Sequence, residues 1–178
     1  MKKPADEDLI DAMAEGTCEQ VEDLLARGAN PNAKYGDGAT VLWDAVNHWS
    51  TGMIEVLLSA GADVNAQEGD GGTVLMEACR NGDVDAILLL LAAGALIDAQ
   101  DDTGMSALMC AAREDRLEAV EALIEHGADY SLVNSKGRTA ENLAGDRTKP
   151  VLTALREDEL LKQVAGVSVP TQKKERTM

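Results

Sequence analysis

Apolar and polar positions along this chain follow a helical period, and the pattern restarts at fixed intervals. In Val74-Leu75-Met76-Glu77-Ala78-Cys79 the small and apolar side chains fall on one helical stripe. Asn81-Gly82 then predicts a turn, and residues 84–92 predict a second, more apolar helix. Gly94 falls where a helix C-terminus favours positive φ, a conformation that glycine reaches without steric penalty. Leu96 and Ile97 are expected to pack behind it, and residues 99–104 read as a polar hairpin tip. Neither helix can bury its apolar stripe alone, so the unit needs a neighbour on each side.

The neighbours are written in the sequence. Gly28-Ala29-Asn30 recurs as Gly61-Ala62-Asp63, Gly94-Ala95-Leu96 and Gly127-Ala128-Asp129, at a constant spacing of 33. Gly38, Gly71, Gly104 and Gly137 form a second ladder with the same period, and Thr40, Thr73, Ser106 and Thr139 a third, two residues later. Three registers sharing one period without an insertion mark a stack of like units. Each unit reads as helix, short turn, helix, glycine and extended loop.

This organisation resembles the ankyrin repeat, whose period is about 33 and whose inner helix opens with Thr-Pro-Leu-His-x-Ala. Here the stretch reads Thr40-Val41-Leu42-Trp43-Asp44-Ala45, Thr73-Val74-Leu75-Met76-Glu77-Ala78 and Ser106-Ala107-Leu108-Met109-Cys110-Ala111. Thr, Leu and Ala are largely kept. Pro and His are replaced in every copy, which removes the Thr-to-His hydrogen-bond network of consensus repeats. The resemblance spans about residues 6–160 and implies an all-α solenoid of about five helix–turn–helix units joined by short hairpin loops. The ladders divide residues 1–163 into units 6–38, 39–71, 72–104, 105–137 and 138–163, and residues 164–178 are expected to be a disordered tail. The first unit is a cap whose helix face is broken by Asp6, Glu7, Asp8 and Asp11. The last is a cap in which Glu141 stands where interior units carry Leu, a polar substitution expected on the outward face of a solenoid end.

Composition narrows the partners. Among 178 residues, 16 Lys+Arg face 32 Asp+Glu, for a net charge of −16, which argues against nucleic-acid backbones and anionic membrane surfaces. From Gly145 onward seven Lys/Arg stand against five Asp/Glu, so the first 144 residues hold nine against 27. Such a body steers a basic protein partner. The N-terminal run Met1-Lys2-Lys3-Pro4-Ala5-Asp6-Glu7-Asp8 lacks the apolar stretch of a secretory signal. Residues 86–97, the longest apolar run, are short of the roughly 18 needed to span a bilayer. Cys18, Cys79 and Cys110, odd in number and without CxxC spacing, read as reduced core or near-core thiols of a cytoplasmic protein.

The resemblance also implies a site. Ankyrin arrays dock proteins in a concave groove made by hairpin tips and the solvent side of the inner helices. Carried onto this chain, the groove takes Lys34, Tyr35, Asp37, Ala39, Trp43, Asn47 and His48 from the second unit and the hairpin leading into it. Glu68, Asp70, Met76, Glu77, Arg80 and Asn81 come from the third with its leading hairpin, and Asp101, Asp102, Met105, Met109, Arg113 and Glu114 from the fourth with its own. Trp43 replaces the family's groove-side His, and Trp49 its glycine between the helices. In a chain with two Trp, two Tyr and no Phe, this clustering marks the second unit, because Trp, Tyr and Arg dominate interface energies. Met76 and Met109, in the Trp43 register, are expected to extend an apolar stripe along the groove or to pack between repeats.

Other chemistry is weak. Asp102-Thr103-Gly104 matches the short motif of aspartic proteases but falls on the hairpin ladder, and such a protease needs a second carboxylate in one buried site. Gly69-Asp70-Gly71-Gly72 lacks the following Lys of a phosphate cradle, and Asp101-Asp102 lacks the spaced ligands of a calcium loop. His126 has the position of a helix end. The expectation is a non-enzymatic interaction protein without cofactor or metal, a monomer when free. It is expected to dock on a basic partner and inhibit it as an immunity-type protein; the alternative is an adaptor or assembly chaperone that stabilises a partner enzyme without blocking it.

Overall fold

A computed structural model describes residues 6–15, 17–48 and 51–164. These residues form ten helices and, apart from isolated bridges, no strand. The first pair is α1 (Asp6–Glu15) and α2 (Cys18–Ala26), followed by α3 (Val41–His48) and α4 (Thr51–Ser59). Then come α5 (Val74–Asn81) with α6 (Val84–Ala92), α7 (Ala107–Arg113) with α8 (Leu117–Glu125), and α9 (Ala140–Leu143) with α10 (Lys149–Val164). Trp49 and the expected tail beyond Val164 lie outside the described residues.

Helices this short are marginal alone, so stacking supplies the stability. The inner helices α1, α3, α5, α7 and α9 pack in sequence order, and the outer helices α2, α4, α6 and α8 form a second layer. Between the layers lie Leu9, Leu42, Leu57, Leu75, Ile87, Leu90 and Leu108, each at most 1 % exposed. Full burial of each such side chain is worth about 1.5–3 kcal/mol.

The hydroxyl ladder starts the inner helices. Thr40, Thr73, Ser106 and Thr139 each accept a hydrogen bond from the amide three residues on, at 3.1, 3.4, 3.3 and 3.4 Å. Each thus satisfies one of the orphan donors of a helix N-terminus. Gly28, Gly61, Gly94 and Gly127 end the outer helices at φ between +87° and +93°. Beyond them an amide ladder joins consecutive units. Asn32 accepts from the Asp63 amide at 2.7 Å, Asn65 from the Leu96 amide at 2.9 Å and Asp98 from the Asp129 amide at 2.8 Å.

The hairpins are closed by single antiparallel bridges, Lys34 to Thr40, Gln67 to Thr73 and Gln100 to Ser106. They stack tip on tip: the Asp102 amide donates to the Asp70 carbonyl at 3.0 Å, and Ser135 to Thr103 at 2.9 Å. Glycine is needed there, because a Cβ on Gly71 would lie 3.0 Å from the Asp102 nitrogen at a φ of +78°.

Two expectations are corrected. Leu96 does not pack behind Gly94; it is 63 % exposed, because its register is the surface position held by Asn30, Asp63 and Asp129 in the other units. Glu141 does not face outward into solvent. It turns onto α10, accepting from the Thr153 hydroxyl at 2.8 Å and pairing with Arg156 at 3.0 Å, with its side chain 15 % exposed.

Candidate partner-binding face

Hairpin tips lie against the inner helices, and the first tip is tied to α3 by a side-chain contact. Tyr35, on the first tip, donates its hydroxyl to Asp44 of α3 at 3.0 Å. Burial first, and then this hydrogen bond, push the Tyr35 phenol well above its usual range, so it remains a protonated donor. His48, one turn further along α3, lies 3.9 Å from the other Asp44 oxygen. Tip and helix are thus tied through the Asp44 carboxylate, with the exposed imidazole nearby.

Trp43, which precedes Asp44 in α3, is half-buried. Its backbone amide is held by Thr40 and its carbonyl by the Asn47 side chain at 3.3 Å. The far edge of the indole reaches the next hairpin, where its Cη2 lies 3.6 Å from the place a Cβ on Gly72 would take. Asn47 in turn accepts from Asn81 of α5 at 3.3 Å, which links α3 to α5 across the face.

Further along, Glu77 and Arg80 pair at 2.8 Å with side chains 18 % and 24 % exposed, a sheltered ion pair of fixed geometry. Arg113 pairs with its neighbour Glu114 at 3.0 Å, in the open. The tip carboxylates have local duties. Asp37 accepts from the Ala39 amide, Asp70 from Gly72, and Asp101 from Thr103 and Met105, turns that fix each tip. Glu68 reaches back to the Thr40 amide at 3.2 Å. Asp102 is exposed beside Gly71, Lys34 is exposed on its bridge and Ala39 is half-buried.

The methionines of the expected site are not on this surface. Met76 is fully buried, Met109 is 1 % exposed and Met105 is 6 % exposed. The reason is position: α5 is flanked by α3 and α7, and α7 by α5 and α9, so an unbranched thioether in this register slides between backbones. An apolar stripe running the length of the face is therefore absent, and two half-buried aromatics stand on either side of α3's first turn instead, Tyr35 against Asp44 and Trp43 toward the next hairpin at Gly72. The Tyr35–Asp44–His48 cluster was not legible beforehand, since nothing in the spacing of positions 35 and 44 announces a contact across the hairpin.

The cysteines are unpaired. Burial pushes the thiols of Cys79 and Cys110 up, which makes them poor nucleophiles. Among the described residues no cluster of His, Cys, Asp and Glu is arranged to hold a metal, and no helix is long and apolar enough to cross a membrane. His126 ends α8, its Nδ1 2.8 Å from the Ala122 carbonyl.

Paired helices repeating at a fixed period, with stacked hairpins on one side, define a helical repeat protein. A family model described as ankyrin repeats (3 copies) matches residues 9–101 and 94–160, and the chain belongs to the ankyrin-repeat family. Ankyrin repeats form a protein–protein interaction module. A comparison with curated proteins gave no match.

Proposed function

We propose that the array of residues 1–163 docks on a basic partner protein through its hairpin-side face and holds that partner inactive, as an inhibitor or immunity-type protein. It acts in the cytoplasm, as a monomer when free, without catalysis of its own. The observation that supports the reading is that Tyr35 and Trp43 are both half-buried at the hairpin side of α3. Among the described residues Trp43 is the half-buried aromatic of the inner-helix register, on the same helix as the Asp44 that holds Tyr35, whereas that register holds buried Met76 and Met109 in the next two units. Half-exposed aromatic surface on a pre-ordered frame is what binding hot spots use, because little side-chain freedom remains to be lost. Arg80, fixed by Glu77, is the second anchor, and Asn47, His48, Asp70, Asp102 and Arg113 are rim contacts. Net charge supports a basic partner through steering of the encounter.

The test is co-purification of the full chain with its partner, followed by measurement of the partner's activity with and without the chain. Loss of that activity on binding, with an on-rate that falls as salt rises, is expected. A complex with unchanged or protected activity would turn the reading to an adaptor or assembly chaperone, and a salt-independent on-rate would remove the basic partner.

A further inference from the structure

We infer that the outer helices carry a second docking surface, which takes a cationic amphipathic helix of a partner protein. The inference starts from where charge sits. Helices α2 and α8 each carry three Asp/Glu, α4 and α6 one each, and none of the four contains Lys or Arg. On the other face Asp44 and Glu77, the carboxylates of α3 and α5, are already partnered by Tyr35 and Arg80. Among the described residues, Glu22, Glu55 and Asp85 have no side-chain hydrogen bond or ion pair.

These three unpartnered carboxylates edge two surface grooves, one with an apolar floor and one of mixed lining. Between α2 and α4 a cleft of about 500 Å³ is floored by Leu25, Ala26, Val56 and Ala60 and edged by Glu22 and Glu55. Between α4 and α6 a cleft of about 370 Å³ is lined by Thr51, Leu88 and Leu89 and edged by Glu55 and Asp85. Glu55 belongs to both, so the clefts are neighbours, and Leu88, in the second of them, is 39 % exposed. Small side chains at Ala26 and Ala60 leave room for another chain to approach.

The chemistry of the occupant follows. Apolar side chains at i, i+3, i+4 and i+7 of a helix fill clefts of this kind. A neutral or acidic helix laid there would strip water from Glu22, Glu55 and Asp85 without replacing it, which is costly for charged groups. A helix with Lys or Arg beside its apolar stripe avoids that cost, since the stems lie on Val56 and Leu88 while the heads reach the carboxylates. This surface lies on the opposite layer from Trp43, so it stands or falls independently of the face proposed above.

The probe is a synthetic peptide of about five helical turns, with leucines at helical spacing and lysines elsewhere, titrated against the full chain by fluorescence anisotropy. A scrambled peptide of equal charge, its leucines spread around the helix, is the control. Saturable binding of the patterned peptide is expected, weakened about tenfold by Glu55→Lys and also reduced by Leu88→Gln, with Trp43→Ala unchanged. Both outer-helix positions are exposed, so the variants fold, as circular dichroism will verify. Equal binding of the scrambled peptide, wild-type affinity in both outer-helix variants, or loss of binding in Trp43→Ala would each overturn the inference.

Discussion

The carboxylate of Asp115 accepts hydrogen bonds from both the amide and the hydroxyl of Thr148, each at 2.9 Å. Asp115 occupies the register of the turn glycine Gly82, and it keeps the left-handed conformation at φ +54°, the one non-glycine residue with positive φ among those described. An aspartate tolerates this conformation better than most side chains. Its carboxylate spans 33 positions to the residue preceding α10 and also accepts the Arg147 amide. Gly145 leaves the space: a Cβ there would lie 2.5 Å from the Asp115 side chain. The fourth unit thus fastens the terminal helix with an atom the other interior units lack.

Asp115→Ala is therefore expected to loosen α10 before the rest of the array, seen as early hydrogen exchange of α10 amides. A pH dependence follows. Partial desolvation raises the Asp115 carboxyl, but hydrogen bonds from Thr148 and Arg147 outweigh it and hold the group below its usual value. The contribution is fully present above about pH 3.9, the ordinary carboxyl value, and is lost as pH falls through the lower folded value. Thermal midpoints of wild type and Asp115→Ala should converge in acid. A constant difference between them at every pH would contradict this.

Trp43→Ala and Met76→Ala, equivalent positions one unit apart, should do different things. Trp43→Ala is expected to weaken partner binding by about 2 kcal/mol or more with folding retained. Met76→Ala should leave the affinity of folded molecules unchanged while lowering unfolding free energy by about 2–4 kcal/mol, because it opens a cavity between inner helices. Paired denaturant melts and binding titrations separate the two.

Tyr35→Phe leaves Asp44 without its hydroxyl donor, and a loss of about 1 kcal/mol at neutral pH is expected. The phenol is held above its usual value in the folded protein. Its contribution is complete below about pH 10 and drains away as pH rises further and the unfolded chain ionises first. Wild type should lose stability in alkali more steeply than Tyr35→Phe, as chemical denaturation at several pH values will show.

Asn65→Ala removes a hydrogen bond accepted from Leu96 and one donated to the Gly94 carbonyl at 3.2 Å. About 1–2 kcal/mol is expected, with a broader unfolding transition because the lost bonds join two units rather than two residues of one unit. A sharp, unshifted transition would mean that water replaces them at no cost.

What the sequence determined by itself was the repeating frame, the elements, caps and turns that each unit copies from the last. The glycine ladder, the hydroxyl caps and the helix periods are local requirements of φ, of orphan amides and of apolar stripes, and each repeats at 33. The asparagine ladder of Asn32 and Asn65 was equally available as a register, although its bonds to the next unit were not. Tertiary structure decided exposure and partnership. Met76 is buried and Trp43 half-buried in one register because α5 is closely packed by an inner helix on each side, whereas α3 is closely packed by α5 and only lightly by α1. Tyr35 meets Asp44, Asp115 meets Thr148 and Glu141 turns onto α10 because the stacked backbone brings distant positions within reach of a side chain. Period alone encodes direction along the stack, not the distances across it.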